Sequence, residues 1–109
     1  MNTSWITVCE KNTLMPNTGI CALVGGEQIA IFWEGISQSL YAIDNYDPIG
    51  EANVLSRGIL GSVGDALVVA SPLYKQHFDL RSGECLEAPE HKIKTWPVRE
   101  QDGQVQVLA

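Results

Sequence analysis

Three cysteines, two histidines and two close pairs of carboxylates carry the chemistry available to this chain. A structural zinc site takes four Cys or His ligands, usually in closely spaced pairs. Cys9, Cys21 and Cys85 stand twelve and sixty-four positions apart, and none has a histidine within three residues. They read as small apolar fillers of strands, with Cys85, beside a turn, the more accessible. Nucleophilic catalysis needs a Ser or Cys activated by a base, and no Gly-x-Ser-x-Gly elbow is present. His77 reads as a polar strand position before Phe78, and His91 as a solvated turn residue beside Lys92. Asp44 lies near Asp47, and Glu84 near Glu87, but acid–base work needs a pocket that splits a pair's pKa values. Turn chemistry accounts for the aspartates, whose side chains bond nearby backbone amides, and a solvated face for the glutamates. The glycines at 25–26 and 58–64 fit neither a dinucleotide fingerprint nor a Walker loop. Catalytic, cofactor-binding and metal residues are therefore not expected in this chain.

The elements that would position these side chains are strands and turns. Trp5 to Cys9 is rich in β-branched and aromatic residues and reads as a first strand. Lys11 to Gly19 reads as a loop. Ile20 to Val24 and Gln28 to Phe32 flank Gly25-Gly26, which can supply positive φ, and predict a hairpin. Trp33 to Ser39 reads as a connection and Leu40 to Ile43 as a fourth strand. Asp44 to Arg57 is turn-rich, with room for one helical turn within Gly50 to Leu55. Ile59 to Val63 and Ala66 to Ala70 predict a second hairpin. Gln76 to Leu80 with Glu84 to Leu86 predict a third. Ile93 to Val98 and Gln104 to Leu108, joined at Asp102-Gly103, predict a fourth. Val105 and Val107 alternate with Gln104 and Gln106 as on a half-buried strand. No segment of ten or more residues keeps a helical apolar period without Gly or Pro, so the chain is all-β. Two excursions, Asn45 to Arg57 and Ser71 to Lys75, interrupt the meander. Loops on a rigid β scaffold are where function concentrates.

The 109 residues suit one domain over 1–109, without repeat, linker or low-complexity segment. Seven Lys and Arg against thirteen Asp and Glu give a net charge of −6. That balance disfavours nucleic acid and anionic lipid as partners. No run approaches the ~20 apolar residues of a membrane span. The first residues lack a basic, then apolar, signal segment. Sparse cysteines fit a cytoplasmic protein with reduced thiols. Exposed tyrosines in the excursions, without a basic background, point to protein contact.

Both excursions carry a resemblance. Ala70-Ser71-Pro72-Leu73-Tyr74-Lys75-Gln76-His77-Phe78-Asp79-Leu80, followed by Gly83, resembles the second box of a Rieske domain. Asp44-Asn45-Tyr46-Asp47-Pro48-Ile49 resembles the first box. A Rieske [2Fe–2S] centre takes two Cys on one iron and two His on the other. On this correspondence the ligand positions hold Asp47, Ile49, Ser71 and Tyr74, none a Cys or His. The strings Leu55-Ser56-Arg57-Gly58 and Ala70-Ser71-Pro72-Leu73-Tyr74-Lys75-Gln76 resemble the small-subunit family of assimilatory NAD(P)H nitrite reductases, Rieske-like cytoplasmic proteins without cluster ligands.

That resemblance implies a Rieske-like fold of three small antiparallel sheets, with two loops at one tip where a cluster would be bound. It implies nitrite reduction to ammonium, in nitrate assimilation, on a large partner subunit carrying FAD, a [4Fe–4S] cluster and sirohaem, with no cofactor here. The tip then offers Tyr46, Arg57, Leu73, Tyr74 and Lys75 for docking, while Pro48 and Ile49, with Leu73 and Tyr74, could instead pack together to fill the cluster's space. Two other classes stand beside this one. A Rieske ferredoxin would need the missing ligands. A stand-alone enzyme or small-molecule binder on a β-barrel would need a pocket that nothing in the sequence marks, and a β-barrel protein-interaction module of another complex is the remaining alternative.

Overall fold

A computed structural model describes residues 3–109. Among the described residues, twelve strands form antiparallel pairs: β1 (Trp5–Glu10), β2 (Gly19–Val24), β3 (Glu27–Glu34), β4 (Ser39–Asp44), β5 (Tyr46–Asp47), β6 (Ala52–Asn53), β7 (Ile59–Val63), β8 (Ala66–Ala70), β9 (His77–Asp79), β10 (Thr95–Trp96), β11 (Val98–Gln101) and β12 (Gln104–Leu108). They assemble as β1-β12-β11, β10-β4-β3-β2 and β7-β8-β9, with the short ribbon β5-β6 added to these three sheets.

The hairpins at Gly25-Gly26, Gly64-Asp65 and Asp102-Gly103 each use a two-residue turn containing positive φ, whose twist matches that of the flanking strands. β3 runs longer than expected and takes in Trp33 and Glu34. It is buried on both faces: Ile29 and Ile31 join Leu14, Ala42, Trp96, Val105 and Val107 on one side. Ala30 and Phe32 join Ile43, Leu55, Val69, Phe78, Leu80, Cys85 and Ile93 on the other. Two cores on one strand explain a continuous apolar run where a sheet with one wet face would show alternation.

Three expectations need correction. Ile93 to Val98 is not one strand: β10 pairs with β4, and β11 pairs with β12. Pro97 lies between them, where a residue without an N–H cannot continue a ladder. The third hairpin reduces to β9 and a single bridge, Phe78 to Cys85, because the chain turns away at Asp79. The helical turn lies at Leu55–Arg57 and β6 takes the preceding residues. The pairing of β1 with β12, Trp5 opposite Leu108, brings the described chain ends together and was not foreseen.

Candidate functional site

The two excursions contain the same five-residue turn. In the first, the Asp47 carbonyl accepts the Glu51 N–H at 2.7 Å, and Asp47 Oδ1 accepts the N–H groups of Ile49 (2.8 Å) and Gly50 (3.0 Å). In the second, the Ser71 carbonyl accepts the Lys75 N–H at 3.0 Å, and Ser71 Oγ accepts the Leu73 N–H at 3.3 Å. A third copy follows, in which Asp79 Oδ1 takes the N–H groups of Arg81 (2.7 Å) and Ser82 (3.1 Å) and its carbonyl takes that of Gly83 (2.8 Å). A short polar side chain opens each turn because it can imitate a backbone acceptor. A left-handed residue closes each: Glu51 at φ 56°, Lys75 at φ 61° and Gly83 at φ 80°. For Lys75 that conformation costs about 1–2 kcal/mol relative to right-handed backbone.

The first two turns meet. Ser71 Oγ donates a 2.5 Å hydrogen bond to Asp47 Oδ2, and both residues are buried, at 1% and 0% exposure. Gly50 lets the loops approach: a Cβ there would stand 2.4 Å from Leu73 Cδ1 and 3.0 Å from Asp47 Oδ2. Residues 24 apart in sequence, the first of each ligand pair in the Rieske correspondence, are thus bonded to each other.

This donor set does not fit a [2Fe–2S] cluster. The Asp47 carboxyl is engaged by Ser71 and by its own loop amides. Ile49 has no donor atom and packs half-buried against the core around Phe32 and Leu55. Tyr74 is 66% exposed. Two thiolates and two imidazoles are required, and none of these four residues supplies either.

The remaining residues singled out in the sequence fall into two groups. Arg57, Ser71 and Lys75 line one groove of about 520 Å³, together with Gly58, Ile59, Ala70, Pro72 and His77. Tyr46, Leu73 and Tyr74 are exposed but do not line it. Tyr46 sits on the ribbon opposite Asn53, with its N–H held by Asp44 Oδ1 at 2.9 Å. Arg57 is placed by Asn45, which in sequence is one more residue of a turn-rich stretch. Asn45 is 2% exposed; its Oδ1 accepts the Ser56 N–H at 2.7 Å, and its Nδ2 donates to Gln28 Oε1 at 3.0 Å. It ties the turn carrying Arg57 to the end of β4. The sequence contains no signal for this, since a buried Asn and a turn Asn look alike in it.

His77 lies on β9 as expected, with Nδ1 2.6 Å from Glu87 Oε2, while Glu87 Oε1 accepts the His77 N–H at 2.8 Å. That N–H is the main cause holding the Glu87 carboxyl below the usual carboxylate range. Cys85 is fully buried and Cys21 is the exposed thiol, the reverse of the expected accessibility, because Cys85 bridges to Phe78 inside the core. Burial pushes the Cys85 thiol up.

The profile of the Rieske-like [2Fe-2S] domain family matches residues 4–108. A nitrite reductase (NADH) small subunit from Salmonella typhimurium is 46% identical over 103 residues, 94% of this chain and 95% of that protein. The chain belongs to the nitrite reductase small-subunit family. The NMR structure of the E. coli protein NirD superimposes with a TM-score of 0.90 at 42% identity, covering 99% of this chain and 98% of that one. A nitrite reductase [NAD(P)H] large subunit from Klebsiella oxytoca contains a stretch 43% identical to 94% of this chain, which makes up 11% of that protein. A stretch similar to this chain therefore also occurs within a large-subunit polypeptide.

Proposed function

We propose that this chain, a single domain over residues 1–109, is an accessory subunit of a cytoplasmic NAD(P)H-dependent nitrite reductase of nitrate assimilation, docking on the large subunit without holding a cluster. The flavin, iron–sulfur and sirohaem centres sit on the large chain, where nitrite is reduced to ammonium. The observation that carries this is the matching stretch inside the Klebsiella large subunit. Covalent linkage raises the effective concentration of two modules that work together, so fusion in one protein supports association in another. The Asp47–Ser71 bond supports the absence of a cluster, because it uses the polar groups standing where ligands would be required. Docking runs through Tyr46, Arg57, Leu73, Tyr74 and Lys75, a mixture of aromatic, apolar and cationic groups of the kind enriched at interface centres.

The test is co-purification of the parent chain and a Tyr74→Ala/Lys75→Ala variant with the large subunit. Loss of recovery in the variant supports the tip as the contact, and undiminished recovery counts against it. Stoichiometric iron and acid-labile sulfide in the purified small chain would favour the ferredoxin reading instead.

A further inference from the structure

We infer that the groove beside the tip receives an extended segment of the nitrite reductase large subunit carrying an acidic side chain next to an apolar one. The inference rests on the docking reading above and assigns the chemistry of what is docked.

The shape of the site comes from β7. This strand is bonded to β8 on one side only, so it is an open sheet edge. The residues flanking a two-residue hairpin turn exchange both hydrogen bonds, and the pattern then alternates. With Val63 opposite Ala66 at that turn, the backbone groups of Leu60 and Ser62 point away from β8, unpaired by it; both residues line a neighbouring cleft with Asn17, Glu34 and Ile36, so the edge meets the groove only at its Ile59 end. An added strand satisfies such groups. The edge sequence Ile-Leu-Gly-Ser-Val carries none of the charges or prolines that usually block such pairing.

The floor of the groove is apolar. Ile59, Ala70 and His77 are cross-strand neighbours in one row of the sheet, and Ile59 is 76% exposed. The rim is cationic. Among the described residues neither Arg57 nor Lys75 is ion-paired, although the chain carries a net charge of −6. The carboxylate beside the groove, Glu87, is already committed to His77. Lys75 also holds a left-handed position that glycine would occupy without strain, so a lysine there keeps its side chain against a local cost. Two unpaired cations flanking an exposed isoleucine beside an open edge complement an extended, acidic and apolar segment.

Ile59 belongs to the groove alone and Tyr74 to the tip alone, so their variants separate the two readings. Binding of the purified large subunit to immobilised small subunit is measured for the parent, Ile59→Asp, Ile59→Ser, Arg57→Ala/Lys75→Ala and Tyr74→Ala, at low and high ionic strength. Thermal midpoints serve as the folding control. Ile59→Asp is expected to weaken affinity about tenfold or more, with Ile59→Ser weakening it in the same direction and both midpoints close to the parent's. The double alanine variant should weaken binding at low salt and flatten its salt dependence. Parent-like binding by both folded Ile59 variants overturns the groove. If Tyr74→Ala weakens binding in that case, the tip reading stands; if it does not, both fall. A parent chain that sediments as a dimer, and as a monomer after Ile59→Asp, assigns the groove to a second copy and also overturns the inference.

Discussion

Replacing Ser71 with alanine tests the contact that joins the two loops. The Ser71 hydroxyl lies 2.5 Å from Asp47 Oδ2, at the short end of ordinary O–H···O bonds, and both residues are buried. The substitution removes one hydroxyl, creates almost no cavity, leaves Oδ1 on the Ile49 and Gly50 amides, and also takes the weaker 3.3 Å acceptor from the Leu73 N–H. What remains is a buried acceptor atom that has lost its donor, a situation that costs about 1–3 kcal/mol. For a chain of this length that is a fall in thermal midpoint of roughly 5–20 °C. Urea unfolding should show a lower midpoint concentration with an unchanged slope, the mark of a change in stability rather than in surface exposed. Asp47→Ala should cost more than Ser71→Ala, because it strips acceptors from the Ile49 and Gly50 amides as well. The double variant should show coupling of about 0.5–3 kcal/mol between the two sites. A Ser71→Ala loss below about 0.5 kcal/mol, or additive single and double variants, would refute the reasoning. The loops would then be held by Leu73 packing over Gly50.

Three further outcomes are expected. Glu34 is held below the usual carboxylate range chiefly by the Ser37 hydroxyl, with the Ser37 and Ile36 amides adding to it. Its contribution to stability is therefore present above about pH 4.3 and is lost as pH falls through the lower folded value, so Glu34→Gln should flatten the acid limb of a plot of thermal midpoint against pH. Phe32→Ala removes a fully buried ring from the core beneath the tip and should cost about 3–5 kcal/mol in urea unfolding, a large part of the stability of an ordinary domain. Ellman's reagent under native conditions should modify exposed Cys21 well before buried Cys85, which should react only as the chain opens.

Much of the strand inventory is legible from sequence because its signals are local. Gly25-Gly26 and Gly64-Asp65 are turn chemistry between short apolar runs, and both hairpins form, with Glu27 already on the strand opposite Val24. The alternation of Val105 and Val107 with glutamines marks a strand with one buried face, and both valines are fully buried. Asp47 as a turn acceptor is likewise a local property, realised on the amides two and three residues ahead. The correspondence of the two loops to Rieske boxes is legible only through resemblance of their strings to a known family.

Tertiary structure decided what lies between elements. Nothing in the residue types says that β3 is wrapped by two cores, that Pro97 sends its neighbours to different sheets, or that β1 closes on β12. Cys85 looked accessible because it follows a turn, yet pairing with Phe78 draws it inward. Asp47 and Ser71 each have the chemistry of an ordinary turn residue. Their bond exists because the sheets carry two separate turns to the same point, and the energy of such a contact depends on a distance and a burial that no single segment encodes.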